Sequence, residues 1–275
     1  EHTVGATAIL PSGMVTNSTN VTFTVTGSSG GRVFSAYDGD GNQTGQDFPK
    51  DGIGREHVWD GLGRLVAVRQ GDAAGDGWAW VMDYDGLGRR IGMRKHPMTN
   101  DTVHTSTVLE EHRSHFDPEV EFLELGVERF TSSETNGWWK VYGPDLDGTY
   151  GGLQGIGGLE AVIDVSNPGA PVVAGVIDDM LGNPVATVSA SGRVDWNDCV
   201  VGGYGPQPGW TAPALSASAG PAQASVWRGR RFDPDTGYCW LGARFYDPAG
   251  HRYLSPDPLG HAASLGLYDY AGGDP

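Results

Sequence analysis

Hydrophobic and polar residues alternate in short stretches along this chain, and turn-forming residues separate one stretch from the next. The segment "REHVWD" (55–60) alternates in this way, as does "RLVAVRQ" (64–70), with "DGLG" (60–63) between them. A period of two is that of a β-strand with one buried face, whereas Asp and Gly are residues that tight turns select. The pattern therefore predicts two strands joined as a β-hairpin.

The hairpin pattern recurs along the chain. Similar segments are "AYDGDGNQTG" from Ala36, "VWDGLGRLVAV" from Val58, "DYDGLGRRIGM" from Asp83, "VIDDMLGNPVATV" from Val176 and "FYDPAGHRYL" from Phe245. They share an apolar or aromatic residue, then Asp, two residues, Gly, and a basic residue or Asn. Because one hairpin alone buries too little surface to be stable, such hairpins pack side by side into a continuous sheet. We therefore predict an all-β fold.

Amino-acid composition and repeated motifs divide the chain into four parts. Residues 1–31 contain two β-prone stretches and a Ser/Gly linker, and they form either the end of an upstream β domain or the first strands of the main sheet. Residues 32–198 carry the hairpin repeats, and within them 95–111 is polar enough for a short helix or an irregular insertion. Residues 199–225 are rich in Pro, Gly, Ala and Ser and are predicted to be a linker. Residues 226–275, which we call the core segment, combine arginines, aromatics and Asp-Pro pairs.

Charge and composition exclude some classes of function. The net charge of −16 argues against a protein whose main partner is nucleic acid, because phosphate backbones require a positive field. No apolar run reaches the ~20 residues that a membrane helix needs, so we predict no membrane insertion. The chain opens without a basic, apolar leader, and we expect it to be a piece of a longer polypeptide.

The sequence offers weak candidates for metal or redox chemistry. His112 and His115 have an H-x-x-H spacing without an assigned third ligand, and the acidic stretch 40–51 is better explained as a turn of the repeat than as a calcium loop. We predict no metal and no cofactor. Cys199 and Cys239 could form a disulfide or remain two buried thiols, and the sequence leaves both alternatives open.

The core segment carries the most distinctive motifs. They are "RGRRFDPDTGYCWLGARFYDP" (228–248), "GHRYLSPDPLG" (250–260) and "LGLYDYAGGDP" (265–275). Together with the repeated Asp-x-x-Gly hairpins, they resemble the Rhs/YD-repeat family, which includes bacterial polymorphic toxins and the C component of insecticidal toxin complexes; the core segment resembles the family's Rhs repeat-associated core. The resemblance covers roughly 32–275 and is weaker across 95–142. Gly266 and Cys239 depart from the family's pattern.

The resemblance implies both a fold and a function. The YD-repeat hairpins are expected to form a curved sheet that is part of a hollow shell, and the core segment is expected to close that shell as a plug. Such a shell encapsulates a C-terminal toxin payload of the same polypeptide, is secreted or displayed by a bacterium, and works with a delivery apparatus. The hairpins of this chain are too few to close a shell. We therefore expect their exposed edge strands to pair with further shell repeats or with another chain.

The resemblance also implies a self-cleaving aspartyl protease. The matched positions are Asp257 with either Asp233 or Asp235, and Arg231 would set the pKa of a nearby aspartate. Two carboxylates held close cannot both ionise readily, so one can act as an acid while the other activates water.

Other interpretations remain open at this stage. In the Rhs effectors of this family, the cleavage motif includes a second "DPxGL" beyond the core, which Asp274 and Pro275 do not match, so half of the expected pair would lie past Pro275 or have been removed. The aspartates could instead cap turns and pair with arginines, because acids and bases nearly alternate in this segment. The chain could also be an extracellular adhesion or glycan-binding module without cleavage activity, or a purely structural piece of a surface protein.

Overall fold

The structure is a computed structural model. It describes residues 2–9, 15–23, 33–120, 122–144, 148, 150, 158–207, 209–215, 220–262 and 265–273, with backbone alone for the first two ranges. Its strands are β1 (His2–Ile9), β2 (Val15–Phe23), β3 (Phe34–Tyr37), β4 (Gln43–Phe48), β5 (Ile53–Trp59), β6 (Leu65–Asp72), β7 (Gly77–Tyr84), β8 (Arg90–Thr99), β9 (Thr102–Val103), β10 (Glu110–Phe116), β11 (Glu124–Thr131), β12 (Thr135–Tyr142), β13 (Leu159–Asp164), β14 (Val172–Asp178), β15 (Pro184–Ser189), β16 (Val194–Trp196), β17 (Val201–Gly202), β18 (Gly205–Pro206), β19 (Cys239–Trp240), β20 (Phe245–Asp247) and β21 (Arg252–Tyr253).

Helical structure in the described ranges is short. It consists of α1 (Gly220–Gln223) and the 3-10 turns Gly260–Ala262 and Tyr270–Gly273. Over the same ranges, no helix has the length and apolar composition needed to span a membrane. The fold is therefore nearly all-β, as the alternating pattern predicted.

One antiparallel sheet of 14 strands contains β3 to β16. Its strands follow chain order from one edge to the other, except that β9 pairs only with β8 while β10 continues the sheet on β8. This order is what hairpins laid side by side produce. The sheet is not closed, because β3 forms one edge and β16 the other. β1 and β2 pair with each other as a separate hairpin, and the linker predicted after them lies outside the described residues.

The Asp-x-x-Gly motif is a specific turn, seen clearly between β5 and β6. Asp60 donates its backbone N–H to the carbonyl of Arg64, and Gly63 donates to the carbonyl of Asp60, both at 3.0 Å. The Asp60 carboxylate accepts the backbone N–H groups of Leu62 and Arg64 at 2.9 Å and the Arg64 Nε at 2.8 Å. Gly63 has φ 71, a left-handed conformation that favours glycine. The motif thus satisfies its own backbone donors and reverses the chain within five residues.

The same turn recurs more often than the sequence pattern indicated. Matching turns begin at Asp38, Asp72, Asp85, Asp179 and Ser189. At the last of these, the Ser189 hydroxyl replaces the carboxylate and accepts the backbone N–H of Arg193 at 3.2 Å. The turn at Asp72 ends in Asp76, where the other copies have Arg or Asn.

The expectation of a helix or irregular insertion at 95–111 is wrong for most of that stretch. β8 continues to Thr99 and pairs with β9, so the two form an additional hairpin. Its two central residues, Asn100 and Asp101, have φ 48 and φ 59, the double left-handed geometry of a tight two-residue hairpin turn. Asn and Asp tolerate this conformation better than other non-glycine residues, which explains their use here.

The hydrophobic core lies between one face of the sheet and the C-terminal third of the chain. A first buried cluster joins Leu65, Val68, Trp80, Met82 and Met93 of the sheet to Tyr238, Phe245 and Leu254 of the core segment. A second joins Val127, Trp138, Leu159 and Val162 to Leu215, Ala222 and Ala224. The segment expected as a linker at 199–225 therefore contributes buried residues to the core, because its alanines and leucine fill space against the sheet.

Candidate functional site

A buried ion pair fixes the core segment to the sheet through Asp233. Arg90 of β8 donates from Nη1 and Nη2 to the two carboxylate oxygens of Asp233, at 2.5 and 2.9 Å. The Arg90 and Asp233 side chains are only 4% and 1% exposed. Charges this deeply buried require partners, and a bidentate arginine supplies the strongest common geometry. The pair therefore determines where this part of the core segment sits on the sheet.

Asp235 contacts the same face of the sheet two residues further along. Trp80 Nε1 donates to Asp235 Oδ2 at 2.7 Å, and Lys95 Nζ lies 2.8 Å from the same oxygen. The turn that presents Asp233 and Asp235 closes on itself, since Gly237 donates its N–H to the Asp233 carbonyl at 2.9 Å. Both aspartates of "DPDTG" thus contact residues of the sheet.

Arg231 lies in a different buried cluster, centred on Glu124 of β11. Arg231 Nη2 and Nε donate to the Glu124 carboxylate at 2.7 and 3.1 Å, and Lys140 Nζ donates to it at 2.6 Å. Burial raises the pKa of Glu124, but the charges of Arg231 and Lys140 outweigh it and hold that pKa well below its usual range. Nothing in the local sequence around Glu124 marks it as the partner of Arg231. A run of arginines in the core segment implies carboxylate partners but does not say which ones.

Asp257 occupies a third position, within the core segment itself. Arg244 Nη2 donates to Asp257 Oδ2 at 3.0 Å, and the Arg244 guanidinium lies 3.7 Å from the ring centroid of Tyr253. Asp257 also caps a turn, because its Oδ1 accepts the N–H of Leu259 at 2.9 Å. Its backbone N–H and the Nη1 of Arg244 both donate to the carbonyl of Leu267, at 2.8 and 3.2 Å.

The structure therefore pairs the sequence candidates with separate cations. Asp233 and Asp235 share one turn and contact Arg90 and Lys95, whereas Asp257 contacts Arg244. The carboxylate bound by Arg231 belongs to none of these aspartates. Asp274 lies outside the described residues.

The histidine candidates are paired with acids. In a strand, residues three apart point to opposite faces, so His112 and His115 of β10 cannot converge on one metal ion. His112 Nε2 lies 2.6 Å from Glu110, and His115 Nε2 lies 3.1 Å from Glu128. Within the described ranges there is no group of three or more His, Cys, Asp or Glu that could hold a metal ion.

Both cysteines are free thiols. Cys239 is buried and Cys199 is half-buried. Burial raises the pKa of Cys239 to about 12, so this thiol stays protonated and unreactive at neutral pH. Both residues pack with Phe232 and Tyr246 in a third apolar cluster, which lies largely within the core segment.

A cavity of about 210 Å³ lies beside the Glu124 cluster, and we call it the arginine cavity. It is lined by five cationic residues, Arg90, Lys140, Arg228, Arg230 and Arg231, and by one acidic residue, Glu124. Aromatic and aliphatic side chains complete the wall, including Phe116, Phe122, Trp240, Tyr270, Leu123 and Leu159.

Comparisons with known proteins agree with the repeat and core motifs. No protein-family model matches the chain. The curated proteins "Probable deoxyribonuclease RhsA" and "Probable deoxyribonuclease RhsB" of Dickeya dadantii (strain 3937) are each 36% identical to it over 61 residues, 22% of this chain. The crystal structure of TcdB2-TccC3-TEV matches 86% of the chain with a TM-score of 0.59 and 19% identity. That of TcdB2-TccC3 without hypervariable C-terminal region matches 98% with a TM-score of 0.54 and 16% identity.

The chain is thus similar to Rhs proteins over part of its length and shares its fold with toxin-complex structures. The chain spans only a small part of the proteins it matches, 4% of the two Dickeya proteins and 10% and 14% of the two toxin-complex chains. The Asp-x-x-Gly turns, the open sheet and the core segment packed against it are the features of this chain that bear on its function.

Proposed function

We propose that this Rhs-type segment forms part of a β-shell that encloses a C-terminal payload of the same polypeptide, with the core segment as the plug. The observation that carries the proposal is the core segment's attachment across one face of an open sheet. Tyr238 and Phe245 are buried against the sheet, and Asp233 forms a buried ion pair with Arg90. Both apolar and ionic contacts hold the core segment on the face of the sheet. The edge strands of the sheet therefore remain available to pair with further strands.

The proposed partners follow from this arrangement. Further shell repeats or another chain would continue the sheet beyond β3 and β16, and the payload would follow the core segment. The structural neighbour TcdB2-TccC3 was crystallised without a hypervariable C-terminal region, and a region of that kind in the neighbour is consistent with a variable payload in this protein. We propose secretion or surface display by a bacterium, together with a delivery apparatus.

Protease protection tests the encapsulation. The chain is expressed with its remaining shell repeats and with the sequence that follows Pro275 in its gene, then treated with a nonspecific protease. We expect the downstream segment to be digested at least tenfold more slowly than the same segment expressed alone, because enclosed backbone cannot enter a protease. Equal digestion rates would contradict encapsulation and favour an adhesion or glycan-binding module, which binding to a glycan array would then reveal.

We also propose that the core segment cleaves the chain once, downstream of itself, with Asp257 as the reacting carboxylate. Asp257 and its partner Arg244 both bind the carbonyl of Leu267. Asp257 therefore lies against the last described stretch of the chain, 265–273. Of the two candidates for the second carboxylate, Asp235 is the more accessible, because Asp233 is held in its buried pair with Arg90; Arg231 is bound to Glu124 and would act only through the charge of that cluster.

Intact mass of the full gene product tests the cleavage. We expect two fragments from the wild type and one full-length chain from Asp257→Asn. The side-chain amide of asparagine cannot transfer a proton in the cleavage as the carboxyl group of Asp257 would. Asp235→Asn distinguishes the second carboxylate, and Asp195→Asn on edge strand β16 serves as the matched control, which should still be cut. A wild-type chain that stays full length would contradict the cleavage. An Asp257→Asn chain that is cut normally would show that Asp257 is not the reacting carboxylate.

A further inference from the structure

The arginine cavity carries more positive charge than its neighbours neutralise. Arg90 is paired with Asp233, while Arg231 and Lys140 share the single carboxylate of Glu124. Arg228 and Arg230 also line the cavity, and neither forms an ion pair with a carboxylate of the described residues. Five cations thus line the cavity, and they have two carboxylate partners, Glu124 in the wall and Asp233 behind Arg90, in a chain whose net charge is −16. A local cationic excess in an acidic protein is the feature that an anionic ligand would complement.

The two unpaired arginines project from a fixed turn. Arg230 donates its backbone N–H to the carbonyl of Trp227 at 3.0 Å, and Arg228 donates its own to Asn183 Oδ1 at 3.0 Å. Arg228 and Gly229 have φ 50 and φ 64. Trp227 and Arg230 form an isolated antiparallel bridge, so Arg228 and Gly229 are the two central residues of a tight hairpin turn, with the double left-handed geometry of Asn100 and Asp101. The turn therefore presents both arginines without further ordering of the backbone.

The Glu124 cluster adds a hydrogen-bond donor without an acceptor. The Arg231 side chain is 4% exposed, and its Nη1 is buried with no hydrogen-bond partner in the described part of the chain. Buried polar atoms are normally paired, and an anion in the arginine cavity would supply the acceptor that this donor lacks. This observation is independent of the charge count and points to the same kind of ligand.

The remaining wall of the cavity is apolar. Phe122 and Trp240 line the arginine cavity and also a second cavity of about 210 Å³, which Trp59, Tyr84 and Leu87 help to form. An engineered apolar cavity of about 150 Å³ is enough to hold benzene. The space therefore suits one aromatic or aliphatic side chain beside the cationic wall.

We propose that the arginine cavity binds the terminal carboxylate of a peptide whose last residue is aromatic or aliphatic. Arg228 and Arg230 bind the carboxylate, because the planar guanidinium matches a planar carboxylate in a two-point hydrogen bond. Phe122 and Trp240 contact the side chain. The binding is reversible and involves no covalent step, and it does not depend on encapsulation or on cleavage.

Ligand-detected NMR with the 275-residue chain tests the proposal. The probes are N-acetyl-L-phenylalanine, its neutral amide and inorganic phosphate. We expect the acid to bind and the amide to bind at least tenfold more weakly. Arg230→Gln should weaken binding of the acid at least tenfold, Arg230→Lys should weaken it less because the charge remains, and Arg193→Gln, on the distant β15–β16 turn, should leave it unchanged.

Three outcomes would overturn the inference. Equal binding of the acid and the amide would remove the role of the carboxylate. Equal Kd values for Arg230→Gln and Arg193→Gln would show that the acid does not bind at Arg230. Displacement of the acid by phosphate at a lower concentration would show that the cavity is a general anion site. Arg228 is exposed, so Arg228→Gln provides the same test if Arg230→Gln does not fold.

Discussion

Single aspartates organise the hairpin turns of this chain. Burial raises the pKa of Asp60, but hydrogen bonds from the backbone and side chain of Arg64 and from Leu62 outweigh it and lower that pKa overall. Asp85 has the same balance with Arg89 and Leu87. A carboxylate whose pKa is lower in the folded state than in the unfolded state stabilises the fold above the unfolded pKa, and this stabilisation is lost as pH falls through the folded pKa.

Removing one such carboxylate should measurably destabilise the protein. We expect Asp60→Ala to lower the free energy of unfolding by about 1 kcal/mol, since it leaves two backbone N–H groups without their acceptor. Urea denaturation at neutral pH measures the change. Asp60→Asn is the matched control and should lose less, because the amide oxygen can still accept both bonds. Equal losses in the two variants would assign the effect to charge alone.

Asp178 is the opposite case, a carboxylate that the fold disfavours. Burial, followed by the charges of Asp179 and Glu160, raises its pKa to about 6 from 3.8, and its Oδ1 has no hydrogen-bond partner among the described residues. Because the folded pKa exceeds the unfolded one, this residue's contribution to stability falls as pH rises from about 4 to about 6 and stays lower above that range.

Asp178→Asn should therefore stabilise the protein in a pH-dependent manner. We expect a gain on the order of 1 kcal/mol at pH 8, after allowance for partial solvent exposure, and little change at pH 4, where the wild-type residue is already neutral. Urea unfolding at the two pH values measures the difference. Asp179→Ala at the neighbouring position should destabilise the protein at pH 8, because Asp179 caps its turn. A pH-independent effect of Asp178→Asn would contradict the raised pKa.

Among the larger elements, the attachment of the core segment to β8 depends on the pair of Arg90 and Asp233. We expect Asp233→Asn to lower the free energy of unfolding by about 3 kcal/mol, since it leaves the buried Arg90 charge uncompensated. The double variant Arg90→Met with Asp233→Leu should recover most of the loss, because apolar groups of similar volume replace both charges. Urea unfolding of this double variant and of its two single variants, Arg90→Met and Asp233→Leu, completes a double-mutant cycle that measures the coupling, and additive losses would show that the two side chains act independently.

For the molecule as a whole, the open sheet leaves apolar side chains at its edges. Phe34 on β3 is 55% exposed and Trp196 on β16 is 69% exposed. Edge strands also present unpaired backbone groups to any additional strand. Among the described residues, no strand pairs with the outer edge of β3 or of β16, so the sheet is suited to continuation by another strand at both edges.

Association through these edges can be measured directly. We expect the isolated chain to self-associate with rising concentration in sedimentation velocity experiments. Replacing Val194 and Trp196 with Lys should weaken the association about tenfold or more, because edge lysines oppose strand pairing. Val173→Lys is the control, as Val173 is 48% exposed on the interior strand β14. If the control weakens association equally, contact through the sheet face is responsible.

The hairpins and most turns followed from local sequence. The contacts that form a turn such as Asp60–Arg64 lie within five residues, so alternation and turn residues were enough to predict them. The turns at Asp72 and Ser189 were missed because Asp76 and the serine hydroxyl replace the expected side chains without changing the backbone geometry.

The tertiary partners could not be read from the sequence. Arg90 and Asp233 are 143 positions apart, and Glu124 and Arg231 are 107 apart, with no local pattern linking them. The packing of the core segment on the sheet determines which acid each arginine binds. As a result, Arg231 binds Glu124 and Arg244 binds Asp257. The physical reason is that turn hydrogen bonds depend on neighbouring residues, whereas buried charges pair according to how distant surfaces fit together.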